Sequence, residues 1–315
     1  LTVTEMMPLA AEGKLKGFYV LGEDPIMSDP DTSHIRKALE TCEFVLLQEI
    51  FPSETAPYAD VLLPGASFAE KDGTFTNTER RIQLVHKAIE SPGIARPDWW
   101  IISELAKNIL AEGKRKVGKG KFSSWDYQNT VEIMDEIATL TPIYAGVSLQ
   151  RLLNGETLQW PVKDSSHPGT PILHVGQFSR GKGQFNPVEH IPPAEVPDKE
   201  YPMILSTGRV LYHWHGGQMT RRSKGLLAIY PEALIEVNEV DAQKMGLNGN
   251  KRVRVSSRRG TIEAEAMITD RVPPGMVYAN FHFPEASANE LTIAALDPVA
   301  KIPEYKVCAV KVEAV

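Results

Sequence analysis

Cysteine is scarce: 315 residues carry only Cys42 and Cys308. Two distant thiols cannot hold an iron–sulfur cluster, which usually takes four, and they exclude the disulfide framework of small secreted domains. Such thiol usage suits a reducing, cytoplasmic setting. Cys42 falls on the apolar side of an expected helix and Cys308 in the alternating run KVCAVKV, so both read as buried small hydrophobes. A basic excess is also absent. The 34 Lys and Arg face 40 Asp and Glu, for a net charge of -6, which argues against a nucleic-acid partner. No apolar run approaches the roughly 20 residues that span a bilayer. No signal-peptide pattern opens the chain, and LTVTEMMPLAAEGKLKGFYVLGEDP begins without an initiator Met, as expected of a piece of a larger protein. The phosphate-binding P-loop, GxGxxG and GxSxG are missing too.

What remains is ordinary for a globular chain: 42% hydrophobic and 23% charged residues, with length enough for two cores. LKGFYVL at 15–21 predicts a buried strand opening into a loop at Gly22. Asp31-Thr32-Ser33 offers helix caps, and Ile35, Ala38, Leu39 and Cys42 follow at helical spacing. FVLL at 44–47 and DVLL at 60–63 predict two more buried strands. Short buried strands around a helix imply an α/β unit with a parallel sheet, whose ligands bind at the strands' C-terminal ends. Gly22-Glu23-Asp24-Pro25 and Gln48-Glu49 stand there. Residues 97–110 read as helix, and 131–157 as irregular helix. Residues 164–200, rich in Pro, Gly, Ser and His, read as a long surface connection. After Tyr201 the pattern is short strands with tight turns, as in a small barrel. The expected division is an α/β domain over 1–165, a linker over 166–197 and a β-barrel domain over 198–315.

The densest polar segment is TGRVLYHWHGGQMT, residues 207–220, directly after a strand. Its glycines allow close approach of backbone to a ligand, and Arg209 can bond a phosphate bidentately. A polar surface loop is the plain alternative. A zinc site on His213 and His215 would need a third or fourth ligand, and none is near in sequence. Lys71-Asp72-Gly73 is a turn signature, compatible with a hairpin of solvated charges or with Lys71 facing an anion. Asp98, after Pro97, suits a helix cap. Arg221, Arg222 and Lys224 read as a solvated basic face.

Taken together, GEDP at 22–25, SETAPYADVLLPGASFAEKDGTFTNTERR at 53–81, ARPDW at 95–99 and TGRVLYHWHGGQMTRR at 207–222 resemble the bis-molybdopterin guanine dinucleotide oxidoreductases. The ending FHFPEASANELTIAALDPVAKIPEYKVCAVKVE at 281–313 is similar to that of formate dehydrogenase large subunits. The resemblance runs through nearly the whole chain in family order. It implies a Rossmann-like α/β domain, the third of the large subunit, followed by a six-stranded double-psi β-barrel, the fourth. It implies molybdopterin guanine dinucleotide with molybdenum or tungsten as cofactor. The positions that match family cofactor contacts are Glu23, Gln48, Glu49, Lys71 and Asp98. In the barrel they are Thr207, Gly208, Arg209, Val210, Leu211, Tyr212, His213, Trp214, His215 and Gly216, then Phe281, Asn289 and Lys306. The chemistry agrees. The donor edge of guanine suits the carboxylates of Asp98 or Glu49, and pyrophosphate suits Lys71, Arg209 and backbone N–H groups. The family often carries Asn in the first loop and Asp after the second strand, where Asp24 and Glu49 stand here.

The family's metal-ligating Cys or selenocysteine, with its neighbouring His and Arg, is not in this sequence, nor is the four-cysteine motif for an iron–sulfur cluster. The resemblance therefore implies a portion of a formate dehydrogenase subunit with no catalytic or metal-ligating residue of its own, inactive alone. Its expected partners are the N-terminal part of the same subunit and iron–sulfur electron-transfer subunits, NAD-linked or otherwise. The alternatives are a portion of a sibling such as nitrate reductase and a non-catalytic assembly subunit.

Overall fold

The structure, a computed structural model, describes residues 1–113, 124–247 and 252–315. The chain divides into two units, one of residues 1–62 with 190–315 and the other of residues 63–189. This division differs from a cut near residue 165, because the first 62 residues share a unit with the barrel.

The first unit opens with α1 (Val3–Ala11), β1 (Gly17–Leu21), the short α2 (Pro25–Ser28), α3 (Thr32–Thr41), β2 (Phe44–Glu49) and β3 (Val61–Pro64). Asp31 starts α3, its carboxylate accepting the N–H of His34 at 3.3 Å. Ile35, Ala38 and Leu39 form one buried stripe of α3 and pack with Met7 and Ala10 of α1 and Val45 of β2. Strands β1 and β2 run parallel, in sheet order β1-β2-β3. β1 is less buried than its apolar composition predicts: Tyr19 and Leu21 are exposed. The two helices cover one face, where Phe18 joins the core, and strand alternation turns Tyr19 and Leu21 the other way. Cys42 is half-buried at the margin of this core.

The second unit holds β4 (Gly73–Thr76), β5 (Arg81–Val85), α4 (Asp98–Glu112), α5 (Thr130–Leu140), α6 (Leu149–Leu153) and β6 (Leu158–Gln159). β4, β5 and β6 form an antiparallel sheet. The hairpin turn lies at Asn77–Arg80 rather than at Lys71-Asp72-Gly73. Asn77 supplies it, its side-chain oxygen accepting the N–H groups of Glu79 and Arg81 at 3.0 Å each. Ile82, Met134, Leu152 and Leu158 build a separate core. No helix, and no strand pairing within a sheet, interrupts residues 164–200, the expected long connection.

The barrel belongs to the first unit. It comprises β7 (Met203–Gly208), the short helix α7 (Lys224–Ile229), β8 (Leu234–Asn238), α8 (Glu239–Lys244), β9 (Arg252–Ser256), β10 (Thr261–Thr269), β11 (Met276–Asn280) and β12 (Cys308–Ala314). The six strands close in the order β10-β8-β11-β7-β12-β9. Period-two alternation sends Val253 and Val255 into the core, fully buried, while Arg252 and Arg254 face outward onto Glu263 of β10. Cys308 is buried in that core. Parallel pairing of β7 with β11 leaves both strands ending at the same side, Gly208 opposite Asn280, so the segments after them meet.

Candidate cofactor site

In the first unit, the loop after β1 and the loop after β7 converge. Asp24 fixes the first loop. Its buried carboxylate accepts the Thr55 hydroxyl at 2.6 Å, the N–H groups of Thr55 and Glu54 at 3.1 and 3.2 Å, and the side-chain amide of Gln218. Burial pushes its pKa up despite these bonds. Asp24 is thus an internal tie between the two loops, and the exposed neighbour Glu23 is the group that faces outward.

The second loop begins at Gly208, whose Cα packs so closely on the ring of Tyr278 that no Cβ fits there. The Tyr278 hydroxyl donates to the carbonyl of Arg209 at 2.8 Å. The Arg209 guanidinium lies 3.2 Å from Nδ1 of His215, 5.1 Å from the ring of Trp214 and 5.9 Å from that of Phe281. Lys306 donates to the carbonyl of Thr207, and the Thr207 hydroxyl to that of Tyr305 at 2.6 Å. Burial and the charge of Arg209 hold the Lys306 pKa below its ordinary value. Burial and Arg209 likewise lower the pKa of His215, with Glu23 opposing them. Among the described residues neither Arg209 nor Lys306 has a carboxylate within ion-pair distance, so two mutually repelling cations stand at one strand end.

Around them, Leu211 and Trp214 are exposed and Tyr212 stacks on Tyr230 at 6.4 Å. Gly216 lies against Met27, where an added Cβ would stand a tight 3.1 Å from the Met27 Cβ. His213 turns inward: Nε2 meets the carbonyl of Tyr230 at 2.8 Å and Nδ1 the hydroxyl of Thr220 at 3.1 Å. With both nitrogens engaged inside the protein, His213 cannot join His215 on a zinc ion. No group of three or more His, Cys, Asp or Glu among the described residues could hold a metal. Asn289 is buried and donates to the carbonyl of Met27 at 2.8 Å, bracing α2 rather than facing outward. Gln48 is buried and bonded by the hydroxyl of Tyr19, and Glu49 accepts the N–H of Ile50 at 2.7 Å. Of the expected solvated basic face, Arg222 and Lys224 are exposed and Arg221 is partly covered. Arg221 pairs with Glu285 at 2.5 Å and covers Phe283, while Arg222 covers Phe51 at 4.6 Å and donates to the carbonyl of Pro52.

In the second unit, Lys71 and Asp98 form an ion pair with each other. They edge a cavity of about 320 Å³ whose walls include Phe68, Phe75, Trp99 and Ile133. Asp98 is the first residue of α4, with Pro97 in the cap position. The strongest residues missed from sequence are Tyr278 and His282, while Asp24, singled out in the first loop, proves to be an internal tie. Only Tyr278 carried a signal, since alternation along β11 turns it away from the core.

Residues 1–108 match the family model described as Molybdopterin oxidoreductase, and residues 203–309 match the one described as Molydopterin dinucleotide binding domain. The chain belongs to the molybdopterin oxidoreductase family. The two matched domains are those that hold a molybdopterin guanine dinucleotide with its metal. F420-dependent formate dehydrogenase 2 subunit alpha of Methanococcus maripaludis is 47% identical over 316 residues, 99% of this chain and 45% of that protein. F420-dependent formate dehydrogenase subunit alpha of Methanocaldococcus jannaschii is also 47% identical, with the same coverage. The chain thus spans a little under half the length of these relatives. Acetylene hydratase from Pelobacter acetylenicus shares the molybdopterin oxidoreductase fold, with a TM-score of 0.73 at 16% identity over 99% of this chain and 46% of that one. Among the described residues, no helix is long and apolar enough to cross a membrane.

Proposed function

We propose that this chain is the C-terminal, cofactor-holding portion of the catalytic subunit of a formate dehydrogenase. The observation that carries the proposal is the Arg209–Lys306 pair, two cations without a carboxylate at the end of β7, inside the segment that matches the dinucleotide-binding family. A pyrophosphate there relieves their repulsion and gains charge-assisted bonds. The donor set of the first unit fits the cofactor: cations for its phosphates, the faces of Trp214 and Phe281 beside them, and the carboxylate of Glu49 for a guanine edge. Binding a phosphate through Lys71 would require that residue to leave Asp98.

When bound, the cofactor supplies the two-electron redox chemistry. The complete enzyme takes formate to carbon dioxide, releasing one proton and two electrons. The electrons pass to an iron–sulfur cluster in the N-terminal part and on to a partner subunit, in the cytoplasm. The formate dehydrogenase relatives support F420 as the final acceptor. The protein's own residues here bind and orient. We assign neither cysteine to the metal: Cys308 is buried among the apolar residues of the barrel core, and Cys42 lies against the core of α1 and α3. The metal-ligating group therefore belongs upstream, and this portion turns over no formate alone. By function the chain divides into an α/β domain over 1–165, a linker and a barrel domain over 198–315.

The test is Arg209→Ala in the complete subunit. A charge-assisted bond to phosphate is worth roughly 1.5–3 kcal/mol, so cofactor affinity falls about 10- to 150-fold, and formate-dependent F420 reduction falls with it. The cofactor-free protein melts almost unchanged, because Arg209 is exposed and has no carboxylate within ion-pair distance among the described residues. Unchanged cofactor content removes Arg209 from the site and the proposal with it.

A further inference from the structure

His282 follows β11, is fully buried, and has no part in the contacts assigned above to the cofactor. Its ring joins the two ends of the exposed loop. Nε2 accepts the N–H of Val210 at 2.8 Å, and Nδ1 faces the carbonyl of His215 at 2.6 Å. An amide can only donate and a carbonyl can only accept, so the ring is neutral and carries its proton on Nδ1. Two further observations bear on the same residue. His215 has φ 46, in the left-handed region, where a residue with a side chain persists only when its surroundings hold it. Gly217, at φ 76, lies so close to residue 282 that a Cβ would stand 2.6 Å from the His282 carbonyl oxygen. The ring thus holds the loop at two points, and the backbone of the same residue packs closely on it at a third.

We propose that His282 is the positioning residue of the cofactor loop. Its ring fixes the backbone from Val210 to His215, and so sets where Arg209 and His215 present their side chains to the dinucleotide phosphates. The identity of the ligand rests on the function proposed above; the grip on the loop does not. The surroundings favour the neutral ring. Burial comes first and, with the neighbouring bases His213, Arg209 and His215, pushes its pKa down to about 4 against the opposing bond to the His215 carbonyl. A proton on Nε2 would set two N–H groups against each other and release Val210.

Three variants separate the bonds. His282→Gln carries an acceptor at the reach of Nε2 and keeps the Val210 bond. His282→Asn carries a donor at the reach of Nδ1 and keeps the His215 bond. His282→Leu keeps neither. Amide hydrogen exchange on the cofactor-free chain reads the grip, and pterin content of the complete subunit reads its consequence. In His282→Leu the Val210 amide exchanges at least tenfold faster and the cofactor is lost at least tenfold faster. His282→Gln restores Val210 protection and part of the retention, and His282→Asn leaves Val210 fast. If His282→Leu does not fold, the Gln and Asn variants decide, and equal Val210 protection in the two overturns the proposal. The unsubstituted chain provides an independent reading: Val210 exchange, corrected for its intrinsic rate, accelerates as pH falls to about 4. A loosened loop that keeps its cofactor also overturns the positioning role. Arg209→Ala measured alongside distinguishes the failures, since cofactor retained in both Arg209→Ala and His282→Leu refutes the ligand assignment, while loss in Arg209→Ala alone refutes the role of His282.

Discussion

Asp29 offers a quantitative test of the electrostatics beneath the loops. It follows α2, and its carboxylate takes a hydrogen bond from the Ser28 hydroxyl at 3.3 Å. Burial pushes its pKa up from 3.8 to about 6, with the charge of Glu23 acting in the same direction. A pKa higher in the folded than in the unfolded chain means that the native state binds the proton more tightly. The stability this contributes is whole below 3.8 and is lost as pH rises through about 6. At 1.36 kcal/mol per pKa unit, the gap amounts to about 3 kcal/mol. Asp29→Asn removes the charge and keeps the shape. It should match the parent at pH 4 and exceed it by about 2–3 kcal/mol at pH 8, a rise in melting temperature of roughly 3–5 °C for a protein of this size. Urea unfolding of both proteins between pH 4 and 8 checks this. Carboxylates that titrate in the opposite sense, such as Glu195, where bonds from Arg259, Ala309 and Arg258 outweigh burial, cancel in the difference. A difference that is flat with pH, or a variant less stable at pH 8, would refute the reasoning.

Gly217→Ala should destabilise the protein by at least about 1 kcal/mol, because the added Cβ meets the His282 carbonyl and the residue sits at φ 76; calorimetry of the cofactor-free chain measures it, and an unchanged melting temperature contradicts the close approach. Lys71→Ala should lower cofactor affinity less than Arg209→Ala does, since Lys71 already holds Asp98 and its replacement frees that carboxylate; titration of the two variants in parallel gives the order, and a larger loss at Lys71 reverses it.

Sequence periodicity was sufficient for the elements and insufficient for their surroundings. The stripe of Ile35, Ala38 and Leu39 and the alternation at 252–255 each report a local period, and both fold as expected. Tyr19 and Leu21 are apolar yet exposed, because strand composition does not say whether a second layer covers the sheet. The loop at 207–216 was visible from its density of polar groups and glycines. Which of its side chains turn inward was not, because His213 and His215 differ only in partners, Thr220 and Tyr230 against Arg209, that the fold brings up from elsewhere. Asn289, expected at the cofactor, is a brace for the same reason: its partner Met27 lies 262 residues away in sequence. His282 carried no signal, since a histidine between two phenylalanines reads as core, which is where it sits.

The strand order of the barrel fixes the time at which the site comes into being. β7 bears the cofactor loop at its end, and its two neighbours are β11 and β12, about 70 and 105 residues further along the chain. β12 also closes the cylinder onto β9. A ribosome has therefore made everything through Val310 before β7 has both of its flanks, and Lys306, which reaches the carbonyl of Thr207, arrives only just ahead of that last stave. The loop of Arg209 therefore waits, while about 100 further residues are made, for the frame that shapes it. A chain halted before Cys308 would leave β7 and β9 each with an open edge, a template for pairing with whatever protein lies nearby.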